Sequence, residues 1–168
     1  MNEEQDTLKG KYMTFLSNDE YFGLKIEYVN EIIVLQHITA VPESEDYIKG
    51  LINLRGKIIP VIDVRLRSKQ EPFEYNDRTC IIVVNVQNTV VGLIVESIAE
   101  VVEIPDKNLL PSPSIGHGDK MKDRYVYAIG KVGDSVKLLL DPDKLLNDDD
   151  LSAVEKASEK MVNEEREV

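Results

Sequence analysis

Short apolar runs separated by polar or glycine-containing turns occupy most of the chain between residues 12 and 141. The runs are rich in Val, Ile and Tyr, which suit the half-buried, pleated surface of a β-sheet. Pairs such as Asn18-Asp19 and Asn88-Thr89 between neighbouring runs are typical of tight hairpin turns. The pattern predicts strands at residues 12–17, 21–26, 51–54, 57–64, 80–86, 90–95, 125–132 and 135–141.

The same pattern occurs twice along the chain. A shift of 69 residues aligns residues 12–42 with 81–111 without a gap, and a shift of 78 pairs Tyr47 with Tyr125. The nine extra residues fall in the loop 111–123, where an insertion changes the free energy of folding little. We therefore predict two similar five-stranded units, with each half of the chain forming one β-barrel that is too small to be stable alone.

The ends of the chain and two internal segments differ from this pattern. Segments 27–35 and 96–104 could each open as a helical turn and end as a strand, and periodicity leaves this open. Residues 1–11 are polar and predict a flexible lead before the folded body, 12–146. Within the acidic segment 147–168, aspartates favour a helix N-terminus and an apolar stripe recurs at helical spacing, at Leu151, Val154, Ala157 and Met161.

Composition narrows the range of functions. The net charge of −11 and the absence of tryptophan disfavour nucleic-acid binding. No run approaches about 20 apolar residues, and the N-terminus lacks the apolar segment of a signal peptide, so we expect a cytoplasmic protein without direct membrane insertion. The single cysteine, Cys80, lies in the run CIIVVNV and is predicted to be a small buried hydrophobe.

Side chains suited to catalysis or metal binding are few and scattered. His37 and His117 have no cysteine or second histidine at ligand spacing, so we predict no metal and no cofactor. Asp63 and Asp141 end equivalent strands and are predicted to cap the turns that follow them. Two alternatives stay open at this point: an enzyme that uses one of these carboxylates, and a small β-barrel that binds a ligand or peptide.

The strongest local signal is residues 47–64, YIKGLINLRGKIIPVIDV, which predict a strand, a glycine turn and a second strand. Gly56 allows the turn, and Arg55 beside it offers a planar guanidinium suited to a carboxylate or an interface. Together with YFGLKIEYVNEIIVLQHITAVP upstream and VVGLIVESIAEVVEIPDKNLLPSP downstream, this stretch resembles the CheW family of bacterial chemotaxis coupling proteins. The resemblance holds in order and spacing over residues 12 to about 146.

The resemblance implies an all-β fold with minor α content: two packed five-stranded β-barrel subdomains, here followed by a C-terminal helix. It also implies a non-enzymatic adaptor that links the cytoplasmic tips of methyl-accepting chemotaxis receptors to the histidine kinase CheA, whose regulatory domain shares the fold. The receptor tip is expected in the groove between the barrels. Because the chain ends about 20 residues after the fold, a free-standing coupler is expected rather than CheA itself or CheV.

Eight positions match those that the family uses around its contact surfaces. Among them, Glu31 and Arg55 are implied to be functional polar residues that pair with each other. For the glycines and apolar residues in the set, core packing is an equally good explanation. The implied protein-binding residues are Val29, Glu31, Gly50, Arg55, Gly56, Gly92, Ile98 and Val101.

Overall fold

The computed structural model describes residues 10–67, 70–111 and 125–146, together with Ser152 and Lys156. Between residues 10 and 146, the described part of the chain contains the short helices α1 (Val64–Arg67) and α2 (Pro142–Leu145) and the 3-10 turns Ile26–Tyr28 and Asp106–Asn108 beside the strands. The strands are β1 (Lys11–Ser17), β2 (Glu20–Lys25), β3 (Val29–Val34), β4 (Ile48–Leu54), β5 (Lys57–Asp63), β6 (Cys80–Val86), β7 (Thr89–Val95), β8 (Ser97–Glu103), β9 (Leu109–Pro111), β10 (Val126–Val132) and β11 (Ser135–Leu140).

The strands form two sheets. Sheet A has six strands in the order β8-β1-β2-β11-β10-β9, and sheet B has five in the order β3-β6-β7-β5-β4. Each sheet is antiparallel except for one internal parallel pair, β2 with β11 in sheet A and β5 with β7 in sheet B. The predicted all-β architecture with minor helices is therefore confirmed.

The closed barrels that we expected are not present, because the two edge strands of each sheet do not pair with each other. In sheet B the chain leaving β3 reaches the opposite edge instead, where Thr39 and Leu51 exchange backbone hydrogen bonds of 2.9 and 2.8 Å. In sheet A the chain leaving β8 forms β9, which pairs with β10. Both sheets are thus curled, and the linking chain joins their edges.

Strand register confirms the internal repeat. Thr14 pairs with Gly23 in sheet A as Val83 pairs with Gly92 in sheet B, and the register shifts recur at equivalent places. The expectation that each half forms its own barrel is wrong, however. The β1–β2 hairpin lies in sheet A among second-half strands, while β6–β7 lies in sheet B among first-half strands. Each parallel pair joins one half's hairpin to the other half's last strand, so the hairpins are exchanged.

The apolar core has three main parts. The largest cluster lies between the sheets and contains Phe15 and Leu24 from sheet A together with Ile82 and Leu93 from sheet B. A second cluster belongs to sheet B and a third to sheet A. Because β6 contributes Ile82 to the first cluster and Ile81 to the second, it is buried on both faces. This explains why its sequence is continuously apolar instead of alternating.

The structure settles the two ambiguous segments and corrects two local predictions. Segment 27–35 opens in a 3-10 turn and continues as β3, whereas 96–104 is mainly the strand β8. The hairpin turn before β7 is made by Gln87 and Asn88, both with positive φ, rather than by Asn88-Thr89. Cys80 is half-buried rather than buried, because it opens β6 at the rim of the inter-sheet cluster.

Of the acidic segment 147–168, the structure describes Ser152 and Lys156, both helical and exposed. The apolar stripe predicted there and most of the loop 111–123, including His117, lie outside the described residues. None of the helices in the described part of the chain has the length and apolar character that a membrane crossing requires.

Candidate functional site

Glu31 and Arg55 form an ion pair on sheet B, in which an Arg55 Nη donates to a Glu31 carboxylate oxygen. Glu31 belongs to edge strand β3, and Arg55 lies in the turn between β4 and β5, so the pair spans the two edges of the curled sheet. The pairing expected from the sequence is confirmed. The Arg55 side chain remains 70% exposed and that of Glu31 31% exposed, so both charges are available to a partner.

Local backbone geometry presents the arginine. Arg55 has φ +52° and Gly56 φ +87°, the left-handed conformations of a tight hairpin turn. The Asn53 side chain holds this turn, since its Oδ1 accepts a hydrogen bond of 2.9 Å from the Gly56 amide. Gln36, on the chain leaving β3, donates from Nε2 to the Asn53 carbonyl oxygen at 3.1 Å. Polar side chains therefore close the open side of sheet B around the arginine.

The electrostatics of the pair keep Arg55 charged. The hydrogen bond from Arg55 to Glu31, and then the carboxylate's charge, raise the pKa of the guanidinium above its ordinary value. Since arginine is already protonated at any physiological pH, the site presents a permanent cation whose geometry is set by an acidic neighbour. Such a planar, exposed guanidinium can donate to a second carboxylate without breaking the sheet.

The apolar members of the predicted site lie on both sheets. Val29 and Ile98 are repeat equivalents on β3 and β8, and both are partly buried against the inter-sheet cluster. Val101 is 48% exposed on β8, an edge strand of sheet A, and its repeat equivalent Ile32 is 37% exposed on β3. The two edge strands thus carry similar apolar side chains on different sheets. Their role in partner contact stays a prediction.

Two of the predicted glycines are buried and have evident structural roles. Gly50 has φ +147°, and a Cβ there would overlap the carbonyl oxygen of Thr39. Gly92 lies at the parallel β5–β7 pair, where a Cβ would stand 2.7 Å from Val61 Cγ1. Both positions therefore need glycine for the fold itself, and contact with a partner at either one also stays a prediction.

Asp63 and Asp141 cap the turns that follow their strands, as predicted. Asp63 accepts from the amides of Arg65 and Leu66 at 2.9 and 3.2 Å, and Asp141 accepts from the Asp143 amide at 3.0 Å. Asp63 is 1% exposed and also accepts from the Tyr75 hydroxyl at 2.6 Å. Burial, and then this bond, raise the pKa of Tyr75.

These contacts occupy Asp63 with three donors and leave it sealed from solvent, which argues against acid–base chemistry there. Among the described residues, histidine, cysteine and carboxylate side chains do not gather in threes that could hold a metal ion.

Sequence reasoning missed two arginines of α1. Arg65 forms an ion pair with Glu96, and Arg67 donates from Nη1 to the Tyr125 hydroxyl at 2.5 Å. Arg65 is only partly exposed and Arg67 is buried. The available signal was the sequence Val-Arg-Leu-Arg after the capping Asp63, which places two long cations in one short helix beside a buried strand.

Comparison with known proteins gives concordant results. The family model described as "CheW-like domain" matches residues 11–150. The chain is 29% identical to the chemotaxis protein CheW of Klebsiella aerogenes over 150 residues, covering 89% of each chain. It is 34% identical to a probable chemotaxis protein CheW of Rhizobium etli over 120 residues, 71% of this chain and 77% of that one.

A solved structure also matches. The crystal structure of the scaffolding protein TtCheW from Thermoanaerobacter tengcongensis superposes with a TM-score of 0.75 at 32% identity. The match covers 84% of this chain and 94% of that chain. The two curled sheets with exchanged hairpins therefore belong to a fold already seen in a scaffolding protein.

Proposed function

The chain belongs to the CheW family of non-enzymatic chemotaxis scaffolding proteins, and we propose that it couples methyl-accepting chemotaxis receptors to the histidine kinase CheA. In this proposal it binds the cytoplasmic tips of the receptors and the regulatory domain of the kinase, and so brings kinase activity under receptor control. It works in the cytoplasm, recruited to receptor arrays at the inner face of the membrane. Neither a cofactor nor a nucleic acid takes part.

The observation that carries the proposal is the exposed Glu31–Arg55 pair at the rim of sheet B. A fixed, solvent-facing guanidinium beside a carboxylate is a strong anchor for a protein partner, because arginine is enriched among interface residues that dominate binding energy. Exposed Ile32 and Val101 add an apolar contact to the edge of each sheet. A protein with similar surfaces on two sheets is suited to hold two partners at once.

A ligand-binding barrel is less well supported. Each sheet has its own buried apolar cluster, which includes Ile52, Ile81 and Ile94 in sheet B and Val102, Ile104 and Leu139 in sheet A. Small-molecule sites are instead concave and open, with room for most of the ligand's surface. The function is therefore assigned to the outer surfaces of the sheets.

Co-sedimentation tests the proposal directly. The purified protein is mixed with a soluble receptor-tip fragment and a kinase fragment that includes the regulatory domain, and kinase activity is measured in the pellet. We expect a ternary assembly with altered kinase activity. Arg55→Ala should weaken it, whereas Arg78→Ala, at another exposed turn arginine, should not. A folded wild-type protein that binds neither fragment would contradict the proposal.

A further inference from the structure

Helix α1 follows the last first-half strand of sheet B, yet its two arginines contact elements of sheet A. Asp63 fixes the helix start by accepting from two of its amides. Arg65 then pairs with Glu96, which lies between β7 of sheet B and β8 of sheet A, and places Nη2 3.5 Å from Asn18 Oδ1 in the β1–β2 turn. Glu96 also accepts from the Asn18 amide at 3.0 Å, so one small network joins the two sheets.

Arg67 makes the second and more buried connection. It is 8% exposed and lies between two tyrosine rings, with its guanidinium carbon 5.2 Å from the centre of Tyr47 and 5.0 Å from that of Tyr125. Its hydrogen bond to the Tyr125 hydroxyl is 2.5 Å long. Tyr47 leads into β4 of sheet B and Tyr125 into β10 of sheet A, and the two are repeat equivalents. Arg67 is therefore inserted between matching residues of the two halves.

The other half lacks this arrangement. The repeat equivalents of Arg65 and Arg67 are Asp143 and Leu145 in α2. There the Tyr28 hydroxyl donates to Asp143 Oδ2 at 3.3 Å in an exposed position, and Leu145 is fully buried in the inter-sheet cluster. The two halves therefore differ at these positions, and only α1 carries arginines that make charged, directional contacts.

We propose that α1 is a clasp that fixes the relative orientation of sheets A and B, with Arg67 as its principal positioning residue. The inter-sheet apolar cluster drives the sheets together, but burial of apolar surface is non-directional. A buried guanidinium held by two rings and one hydroxyl adds a fixed direction, since stacking and hydrogen bonding both restrict its plane. If the function proposed above holds, this orientation also sets the geometry between partners bound on the two sheets.

Spin labels provide a test that needs no partner. Cysteines replace Val34 on β3 and Val136 on β11, which are 76% and 54% exposed, in a Cys80→Ser background. Pulsed electron paramagnetic resonance then measures the distance distribution between sheets B and A. We expect a narrow distribution with Arg67 intact, a broader or shifted one in Arg67→Leu, and an intermediate one in Tyr125→Phe.

The variants are chosen so that folding does not obscure the answer. Leucine occupies the repeat-equivalent position 145, where it is buried, so Arg67→Leu introduces the side chain that the other half carries at that place. Tyr125→Phe removes one oxygen and decides the matter if Arg67→Leu fails to fold. Arg78→Ala serves as the matched control and should leave the distribution unchanged. Unchanged distributions in folded Arg67→Leu or, failing that, in Tyr125→Phe would overturn the clasp.

A second measurement separates the clasp from the scaffold function. The kinase regulatory fragment is titrated onto protein that is free or saturated with receptor-tip fragment. We expect Arg67→Leu to leave each binary affinity unchanged and to weaken binding of the second partner roughly tenfold, within the usual range of coupling between sites. A broadened distance distribution with normal ternary binding would refute the link to assembly. Loss of all binding by the wild type would refute the proposed function while the spin-label result still stands.

Discussion

Sheets A and B connect their edges by different means. In sheet A the chain leaving β8 forms a three-residue strand, β9, that pairs with β10 through Leu109, Leu110 and Pro111. In sheet B the same connection is a single bridge at Thr39, and the remaining links are side chains. There Gln36 holds Asn53, and Glu31 holds Arg55. Where backbone pairing is short, polar side chains join the edges, and such side chains can also be shared with a partner.

This difference explains why the candidate anchor lies on sheet B although the repeat gives sheet A an equivalent hairpin. The repeat equivalent of Arg55 is Gly133, which has φ +59° and carries no side chain to reach an edge strand. The two hairpins therefore share a turn but differ in chemistry. The repeat gives both sheets a similar hairpin, but only the hairpin of sheet B carries an arginine in its turn.

Separating the two halves of the chain should have the largest effect on folding. A cut in the exposed turn at 76–78 would give fragments 1–77 and 78–168. Because each sheet needs a hairpin from the other half, neither fragment should unfold cooperatively alone, and mixing them should restore a cooperative transition. Chemical denaturation followed by circular dichroism measures this. Cooperative unfolding of a lone fragment would show that a half can build its own sheet.

Gly50→Ala tests how much sheet B depends on its bridge. The added Cβ overlaps the Thr39 carbonyl oxygen, and alanine at this position must keep a φ that is unfavourable for any residue with a side chain. The free energy of unfolding should therefore fall by about 2–4 kcal/mol. Gly56→Ala is the control, since its Cβ meets nothing within 4 Å and leaves only backbone strain of about 1–2 kcal/mol. Urea denaturation of both variants measures the difference. Equal losses of unfolding free energy in the two variants would mean that only the backbone conformation of Gly50 matters, and that its close approach to Thr39 does not.

The two capping aspartates, Asp63 and Asp141, should contribute unequally to stability. Asp63→Ala leaves the hydroxyl of the partly buried Tyr75 and two amides without their acceptor, and should lower the free energy of unfolding by about 2–4 kcal/mol. Asp141→Ala removes one cap bond and should lower it by about 1 kcal/mol. Thermal and urea unfolding report both values. A larger stability loss in Asp141→Ala than in Asp63→Ala would show that the buried hydrogen bonds of Asp63 are not the more stabilising ones.

Arg55→Ala should have the smallest effect on stability. Its side chain is largely exposed and the pair with Glu31 is screened by water, so the melting temperature should stay at the wild-type value. Binding of the receptor and kinase fragments should fall clearly. Exchanging the charges, Glu31→Arg with Arg55→Glu, keeps the pair but reverses its direction, and should not restore binding. A lower melting temperature with normal binding of the folded fraction would make Arg55 structural.

Much of the secondary structure could be predicted because each β-hairpin is a local feature. The runs 80–86 and 57–64 match β6 and β5 within one residue, since apolar residues and turn residues alternate along the chain itself. The exchange of hairpins could not be predicted in this way. A hairpin with two buried faces has the same sequence whichever sheet it joins, and only the parallel pairs decide the partner.

The candidate site was predictable to a similar extent. Arg55 and Glu31 could be found because the turn motif and the family resemblance both single them out. Arg67 could not, because an arginine that follows a strand ordinarily reaches solvent, and this one is buried by Tyr125 from 58 residues away. Gly92 was assigned to a contact surface from its motif, although its neighbours in space, Val61 and Ile81, show a packing requirement.

The exchanged hairpins also determine when the protein can fold during synthesis. The β1–β2 hairpin leaves the ribosome first, but its neighbours in sheet A, β8 and β11, are among the later strands to be made. Sheet B likewise waits for β7 to pair with β5. The nascent chain therefore carries unpaired strand edges through most of translation, a state prone to aggregation. Arrested chains of increasing length should become fully protease-resistant only once β11 has emerged, because sheet A is the last sheet to be completed.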